Sequence, residues 1–360
     1  MSGFTVTQSP IASEDSILSC LAKYFPTTQA AVQLGRGDDC ALFHGEHSLA
    51  ISTDLFLENT HFRTLYFTPG DIGYKALAVN LSDLAACGVK PLAFTLCLGL
   101  PDSITMEWLD EFFAGMAKLA QKYNINLVGG DLSRAESIHV SITVFGETSP
   151  ISCFLTRGGS MPGDTIFLVG NVGLAYVGLH VLEKYGRSAI QDWPAACAAH
   201  LHPKPYCNAG LVLARAAFNA RPPALMDVSD GLLRDLPRLL GINGELGTSF
   251  TKDALGAKLT LADETVHPEI LRYANEHHIS PFSIMMMGGE DYALLGACAP
   301  DLVPTLESAI PEMRTIGTIT EKTTLICNDI EFSTIEGFDH FSRPKSIPSK
   351  TPQAGETPPS

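Results

Sequence analysis

Six short segments of this 360-residue chain place aspartates where an apolar run stops: GDDCALF (37–43), AISTDLF (50–56), NLSDLAACG (80–88), LVGGDLSR (127–134), LMDVSDGLL (225–233) and GGEDYALL (288–295). Carboxylates are costly to hold together: two of them about 4 Å apart repel by roughly 4 kcal/mol at an effective dielectric near 20. A fold that gathers them needs a cation among them, and an all-oxygen carboxylate set favours a hard ion such as Mg²⁺ or Ca²⁺. Taken singly, most have an ordinary explanation as caps or turn residues. Asp38–Asp39 can open a turn before ALF, Asp54 can cap a turn after Ser52 and Thr53, and Asp131 can close a strand exit after Gly129–Gly130. Asp227 and Asp230 flank Ser229, a candidate helix N-cap. Asp83 resists such a reading, because it stands mid-helix in an apolar segment where aspartate is a poor helix former. With Asn80 it makes an i, i+3 pair, so one helix edge presents amide and carboxylate together.

The elements that must position these groups follow from periodicity. Ile17, Leu18, Leu21 and Phe25 make a helical stripe over 14–25, and ALF (41–43) and LAIS (49–52) read as short strands. Asp71 is expected to N-cap a helix with the stripe Leu77, Ala78, Leu81, Leu84, Ala85, closed by Gly88 and Pro91. A buried strand at Leu92–Leu98, an amphipathic helix near 105–123, and strands at 125–129 and 139–146 complete this half. The Ser, Pro and Gly shift across 147–163 marks a domain boundary. The second half opens strand–turn–helix (TIFLVG, GNVG, LAYVGLHVLEKY), with more helices near 206–219, strand ALMDV and a helix after Ser229 that Pro237 should kink or shorten. The expected units are 1–148, 149–343 and a disordered tail, 344–360; the last eighteen residues hold five prolines.

Composition narrows the function classes. A formal net charge of −15 argues against nucleic acid or an anionic membrane as the main partner, although a bound metal can reverse the local sign for an anionic substrate. Nine cysteines occur singly, without CxxC or Cys/His metal spacing, which reads as reduced thiols in a cytoplasmic protein. The opening MSGFTVTQSPIASED has no signal-peptide pattern, and Phe167–Leu182 is too short and Gly-rich for a membrane span. Known phosphate loops are missing: no GxxxxGK[ST], GxGxxG or kinase HRD/DFG set. The GNVG turn (170–173) could offer backbone N–H groups to phosphate, or simply pack a strand against a helix.

In this order, GDDCALF, AISTDLF with His61–Phe62, YKALAVNLSDLAACGVKP, VGGDLSR, MDVSDGLLRDL, GGEDY and GFDHF (337–341) resemble the thiamine-monophosphate kinase family. That family shares an ATP-binding superfamily with aminoimidazole ribonucleotide synthetase and selenophosphate synthase. The resemblance runs from about residue 14 to Phe341. It implies a mixed α/β (α+β) fold of two domains, with N-terminal strands pairing across a homodimer, a C-terminal α/β domain and the active site in the cleft between them. The implied reaction is ATP plus thiamine phosphate to ADP plus thiamine diphosphate, with several Mg²⁺ ions. Carried over by position, Asp39, Ser52, Thr53, Asp54, Asp83, Asp131, Asp227 and Asp230 fall on metal positions. Gly130, Asp131, Arg157 and Ser229 fall on ATP positions, and His61, Glu290 and Phe338 on thiamine-phosphate positions. Asp38 and Asp291 are left as neighbours of ligands. Because a phosphate acceptor is already anionic at neutral pH, direct in-line transfer needs no general base.

The chain departs from the family pattern at Arg36, His202, Tyr206, Met287 and Pro237, none of which is a metal position. The rival readings are a sister enzyme of the superfamily and a non-catalytic nucleotide or thiamine-phosphate sensor. Selenophosphate synthase would need a reactive Cys in a Gly-rich N-terminal segment, and Cys20 sits in an amphipathic helical stripe instead.

Overall fold

A computed structural model describes residues 32–34, 38–43, 48–149, 151–216, 220–240, 255–262 and 266–332. The helix expected over 14–25, Cys20, Arg36, Phe338, GFDHF and the tail lie outside them. The first half builds β1 (Val32–Leu34), β2 (Ala41–Phe43), β3 (Leu49–Leu57), α1 (Pro69–Ala86), β4 (Lys90–Leu100), α2 (Met106–Tyr123), β5 (Asn126–Arg134) and β6 (His139–Glu147). Its strands form one sheet in the order β1-β2-β3-β6-β4-β5, antiparallel except for β4 and β5, which α2 connects in parallel.

The second half contributes β7 (Thr165–Val169), α3 (Leu174–Tyr185), α4 (Ala189–Asp192), α5 (Pro194–Leu201), α6 (Cys207–Ala216), β8 (Ala224–Asp227), α7 (Leu232–Leu239) and β9 (Gly256–Leu259). It continues with α8 (Pro268–His277), α9 (Pro281–Met287), β10 (Leu294–Cys298), α10 (Val303–Ala309), β11 (Met313–Thr320), β12 (Leu325–Cys327) and β13 (Ile330–Phe332). These strands form a second sheet, β13-β12-β9-β11-β7-β10-β8. The architecture is thus mixed α/β with two sheets, as expected.

Helix α1 is the spine between the two halves, touching β3, β6 and α2 on one side and α6 and β8 on the other. Almost all of it is buried, so it reads as apolar nearly all round. The N-cap is Thr68, not the expected Asp71: Thr68 accepts from the Asp71 N–H, and Asp71 accepts in return from the Thr68 N–H in a capping box. Asp71 also takes Arg187 at 2.5 Å and His202 Nε2 at 2.7 Å, tying the start of α1 to the second half. Pro91 lies inside β4 and does not close α1; Cys87 caps the helix and Gly88 follows with φ 66°.

Two strands are longer than their apolar runs suggest. LAIS extends to Leu57, so Asp54 is mid-strand and not in a turn. The strand expected at 125–129 runs on to Arg134 through both glycines, so Asp131 does not close it. In the second half Ser229 is not the N-cap of the following helix; Gly231 takes that position, and α7 ends two residues after Pro237. Eight free cysteines are described, most of them buried, with Cys97 exposed.

Candidate active site

Asp39, Asp83 and Asp227 come from three separate places: the turn before β2, the last turns of α1 and the end of β8. The fold brings one carboxylate oxygen from each within 4.8 Å of the others. Asp54 joins them from β3, its backbone N–H donating to Asn80 Oδ1 at 3.2 Å, while Ser52 Oγ donates to Asp83 Oδ2 at 2.6 Å. Ser52 and Asp54 stand in register with buried Val144 and Ile142, and therefore on the inner face of the sheet, toward α1.

The electrostatic consequence is large. Burial, and then the neighbouring carboxylates, push Asp83 and Asp227 well above the usual carboxylate range. Burial and Asp39 raise Asp54 to about 6, and burial and Asp39 raise Asp38 likewise to about 6. One cation already faces the cluster. Arg157 hangs beside the start of β8, because the Leu225 N–H donates to the Thr156 carbonyl at 2.8 Å. Its Nη2 donates to Asp39 Oδ1 at 2.6 Å and its backbone N–H to Asp38 Oδ2 at 3.1 Å. Asp39 Oδ2 stays buried without a hydrogen-bond partner among the described residues. An orphaned carboxylate oxygen inside an all-oxygen set is what a hard divalent cation fits.

Ser229 and Asp230 lie on the loop between β8 and α7. Asp230 Oδ2 accepts from Arg238 Nη1 at 3.0 Å and lies 3.5 Å from Arg234 Nε. Fully buried Asp235 braces the loop, accepting from the Asp230 N–H at 3.0 Å and from Arg238 at 2.9 Å.

GGEDY packs along this loop: the Glu290 N–H donates to Ser229 O at 2.7 Å and the Tyr292 N–H to Val228 O at 2.9 Å. The two acids of the motif part company. Asp291 turns inward and caps α3, accepting from the Gly173 N–H at 2.5 Å and the Ala175 N–H at 2.9 Å. The Gly173 N–H of the GNVG turn is thereby occupied by a carboxylate and not offered to phosphate. Glu290 meets Lys75 Nζ of α1 at 3.2 Å and His200 Nδ1 of α5 at 3.1 Å.

The remaining expected residues lie elsewhere. Thr53 points to the opposite face of β3 from Asp54, its hydroxyl donating to the Ile142 carbonyl and accepting from Thr143. Asp131 shares that outer face: Leu55, Ser141, Cys97 and Asp131 are in register across β3, β6, β4 and β5. Three strand spacings put Asp131 about 14 Å from β3. It borders a groove of about 310 Å³ with Cys97, Ser133, Arg134 and His139. Gly130 lets β5 close on β4, since a Cβ there would stand 1.8 Å from the Leu96 carbonyl oxygen. His61 sits in the turn after β3, its Nδ1 accepting from the Leu57 N–H at 3.0 Å. Phe338 lies outside the described residues.

Residues 37–148 match the family described as AIR synthase related protein, N-terminal domain. The thiamine-monophosphate kinase of Escherichia coli O157:H7 is 33% identical over 340 residues, 91% of this chain and 98% of that protein. That of Synechococcus elongatus is 30% identical over 91% of this chain and 96% of its own length. The solved structure of AaThiL complexed with AMPPCP and TMP superposes with a TM-score of 0.76 at 26% identity, covering 91% of this chain and 97% of that one. The chain belongs to the thiamine-monophosphate kinase family. Within that frame the structure adds members to the site that sequence reasoning missed: Lys75, His200, Arg234, Asp235 and Arg238. A signal for one was present. Lys75 is a lone cation in the apolar stretch YKALAVNLSD, eight residues or just over two helical turns before Asp83, and as odd there as Asp83 itself.

Proposed function

We propose that this chain transfers the γ-phosphoryl group of ATP directly to thiamine phosphate, giving ADP and thiamine diphosphate. The observation that carries the reading is the convergence of Asp39, Asp83 and Asp227 around a buried, unpartnered carboxylate oxygen beside Arg157. Asp39, Asp54, Asp83 and Asp227, with Ser52, would hold Mg²⁺, and Asp230 would do so after release from its arginines. Bound Mg²⁺ would neutralise the phosphate oxygens between which the phosphoryl group passes. Arg157 would turn from Asp39 to the nucleotide phosphates, and Ser229 would contact them. Glu290 and His61 would orient the acceptor, with Phe338 beside it. The spacing along α1 supports this polarity: Lys75, which holds Glu290, and Asp83 are about 12 Å apart along the axis at 1.5 Å per residue, a span comparable to an extended thiamine phosphate.

The outer sheet face supports a homodimer. Leu55 is 58% exposed on that face, and every residue of edge strand β5 is exposed, Val128 and Leu132 at 62% and 74% among them. Thr53 and Asp131 on that face, with Gly130 beside Asp131 on the edge strand, would then serve ATP and metal across the subunit boundary, because Asp131 is too far from Asp54 of its own chain. The units 1–148 and 149–343 would form the two walls of the cleft. No helix among the described residues is long and apolar enough to cross a membrane, and we place the enzyme in the cytoplasm. The test is incubation with ATP, Mg²⁺ and thiamine phosphate, following thiamine diphosphate. Binding without turnover would favour a sensor, and turnover only with another acceptor a sister enzyme.

A further inference from the structure

Phosphoryl transfer explains the acidic cluster but not the three groups at the other end of α1. Lys75 is completely buried, with its ammonium 3.2 Å from Glu290 Oε1 and 5.6 Å from the centre of the Phe67 ring. A buried ammonium is costly unless paired, and Glu290 is the partner that offsets the cost. His200 is also buried, against the rings of Tyr66 and Phe67, and its Nδ1 lies 3.1 Å from the other oxygen, Oε2. Burial first, and then Lys75, hold its imidazole below the ordinary histidine range, so it is neutral at pH 7. Glu290 would be raised by burial, but Lys75 and then His200 keep it well below the carboxylate range. Burial lowers Lys75 from the ordinary lysine value against the pull of Glu290, and at 3.2 Å the ammonium and the carboxylate stand in direct contact beside a neutral ring.

Only Glu290 of the three reaches solvent, its side chain 28% exposed. It is presented by strained backbone, with φ 64° at Glu290 and φ 51° at Tyr292, conformations that non-glycine residues keep where the surroundings impose them. An ion pair acts at a distance as a dipole, whose pull on a third charge falls off faster than that of a lone carboxylate. A hydrogen bond to the exposed lone pairs is unaffected by that cancellation. We propose that Lys75 and His200 are positioning residues that present Glu290 as a charge-balanced hydrogen-bond acceptor. This end of the cleft then selects the acceptor substrate through an N–H donor on its aminopyrimidine, and not through the positive charge of its thiazolium. The inference rests on the reading of Glu290 as a thiamine-phosphate contact.

The test measures KM and kcat with thiamine phosphate and two analogues: one with an uncharged ring isosteric with the thiazolium, and one with an oxo group in place of the amino group. The wild type should accept the uncharged-ring analogue with a KM within about threefold, and the oxo analogue at least about a hundredfold more weakly, since a site built for an exocyclic N–H donor rejects a compound that puts an acceptor in its place. Lys75→Met should raise the KM for thiamine phosphate at least about thirtyfold while the KM for ATP moves by less than about threefold, as expected when only acceptor binding is lost. His200→Asn, whose amide can replace Nδ1, should stay close to wild type, and His200→Ala should not. The double variant Lys75→Met/Glu290→Gln leaves no unpaired buried charge and therefore folds even if the single variant does not. Its amide both donates and accepts, so amino and oxo substrates should differ by less than about tenfold. A large loss with the uncharged-ring analogue, an unchanged thiamine-phosphate KM in Lys75→Met, or full amino preference in the double variant would overturn the proposal. Unchanged amino preference in Glu290→Gln alone would instead remove Glu290 from the substrate site.

Discussion

Asp83→Asn separates a metal-holding carboxylate from a structural one, because the two roles predict opposite signs for stability. Asp83 offers an oxygen within 4.8 Å of oxygens of Asp39 and Asp227. At an effective dielectric near 20, each such pair costs about 3 kcal/mol when both members are ionised. Burial, then Asp54 for Asp83 and Asp39 for Asp227, push both carboxyls well above the usual range, so only part of that repulsion exists in the metal-free chain. Replacing Asp83 by the isosteric amide should relieve about 1–3 kcal/mol, and the new amide oxygen can still accept from Ser52 Oγ. In EDTA, calorimetry should show a melting temperature equal to wild type or higher by about 1–4 °C for a chain of this length. Adding Mg²⁺ should stabilise the wild type through binding to the native state only, and the variant much less. Turnover should fall at least about a hundredfold, the scale of losing a principal electrostatic stabiliser. A melting temperature several degrees lower in EDTA, with the Mg²⁺ response intact, would show that Asp83 is a partner of Ser52 and not a ligand, and the argument for the cluster would fail.

Arg157→Met removes the cation that faces Asp39 in the metal-free site. It should destabilise the chain by about 3 kcal/mol in EDTA, the scale of breaking a buried pair, and clearly less with Mg²⁺. Equal losses in both conditions would refute Arg157 as a stand-in counter-ion. Leu55→Asp places a charge on the exposed outer face and should shift sedimentation from dimer to monomer; an unchanged mass would remove that face from the interface. Asp291 is raised from 3.8 to about 7, by burial first and against the N–H donors of Ala175 and Gly173. The folded chain thus holds an extra proton there between about pH 4 and 7, so this group's contribution makes stability fall as pH rises through that window. Asp291→Asn should flatten the fall by up to about 4 kcal/mol relative to wild type in denaturant titrations across the window. An identical slope would show that Asp291 does not titrate there.

How much of this was legible in the chain depends on the kind of information each residue carries. Helix α2 and strands β4, β6 and β7 follow from periodicity and apolar runs, because each buries a defined face. Asp83 stood out for a local reason, a charge in an apolar helix, and the same reason applies to Lys75, which lacked only a visible partner. Its partner, Glu290, is separated by 215 residues, and no periodicity announces a pair made by packing α1 against GGEDY. The strand ends misled for a related reason. Apolar runs stop at Ser52 and Gly129, but pairing continues to Leu57 and Arg134, because neighbouring strands supply hydrogen bonds regardless of side-chain polarity. That continuation decides the site. It puts Asp54 inside the sheet and Asp131 outside it, so two aspartates that look equivalent in the sequence face opposite sides. A site that uses both must be completed from a second subunit, whereas α1 alone sets the distance between the acidic cluster and the Lys75–Glu290 pair. On the proposed reading the acceptor would be measured along one rigid helix, and the nucleotide would be held where two chains meet.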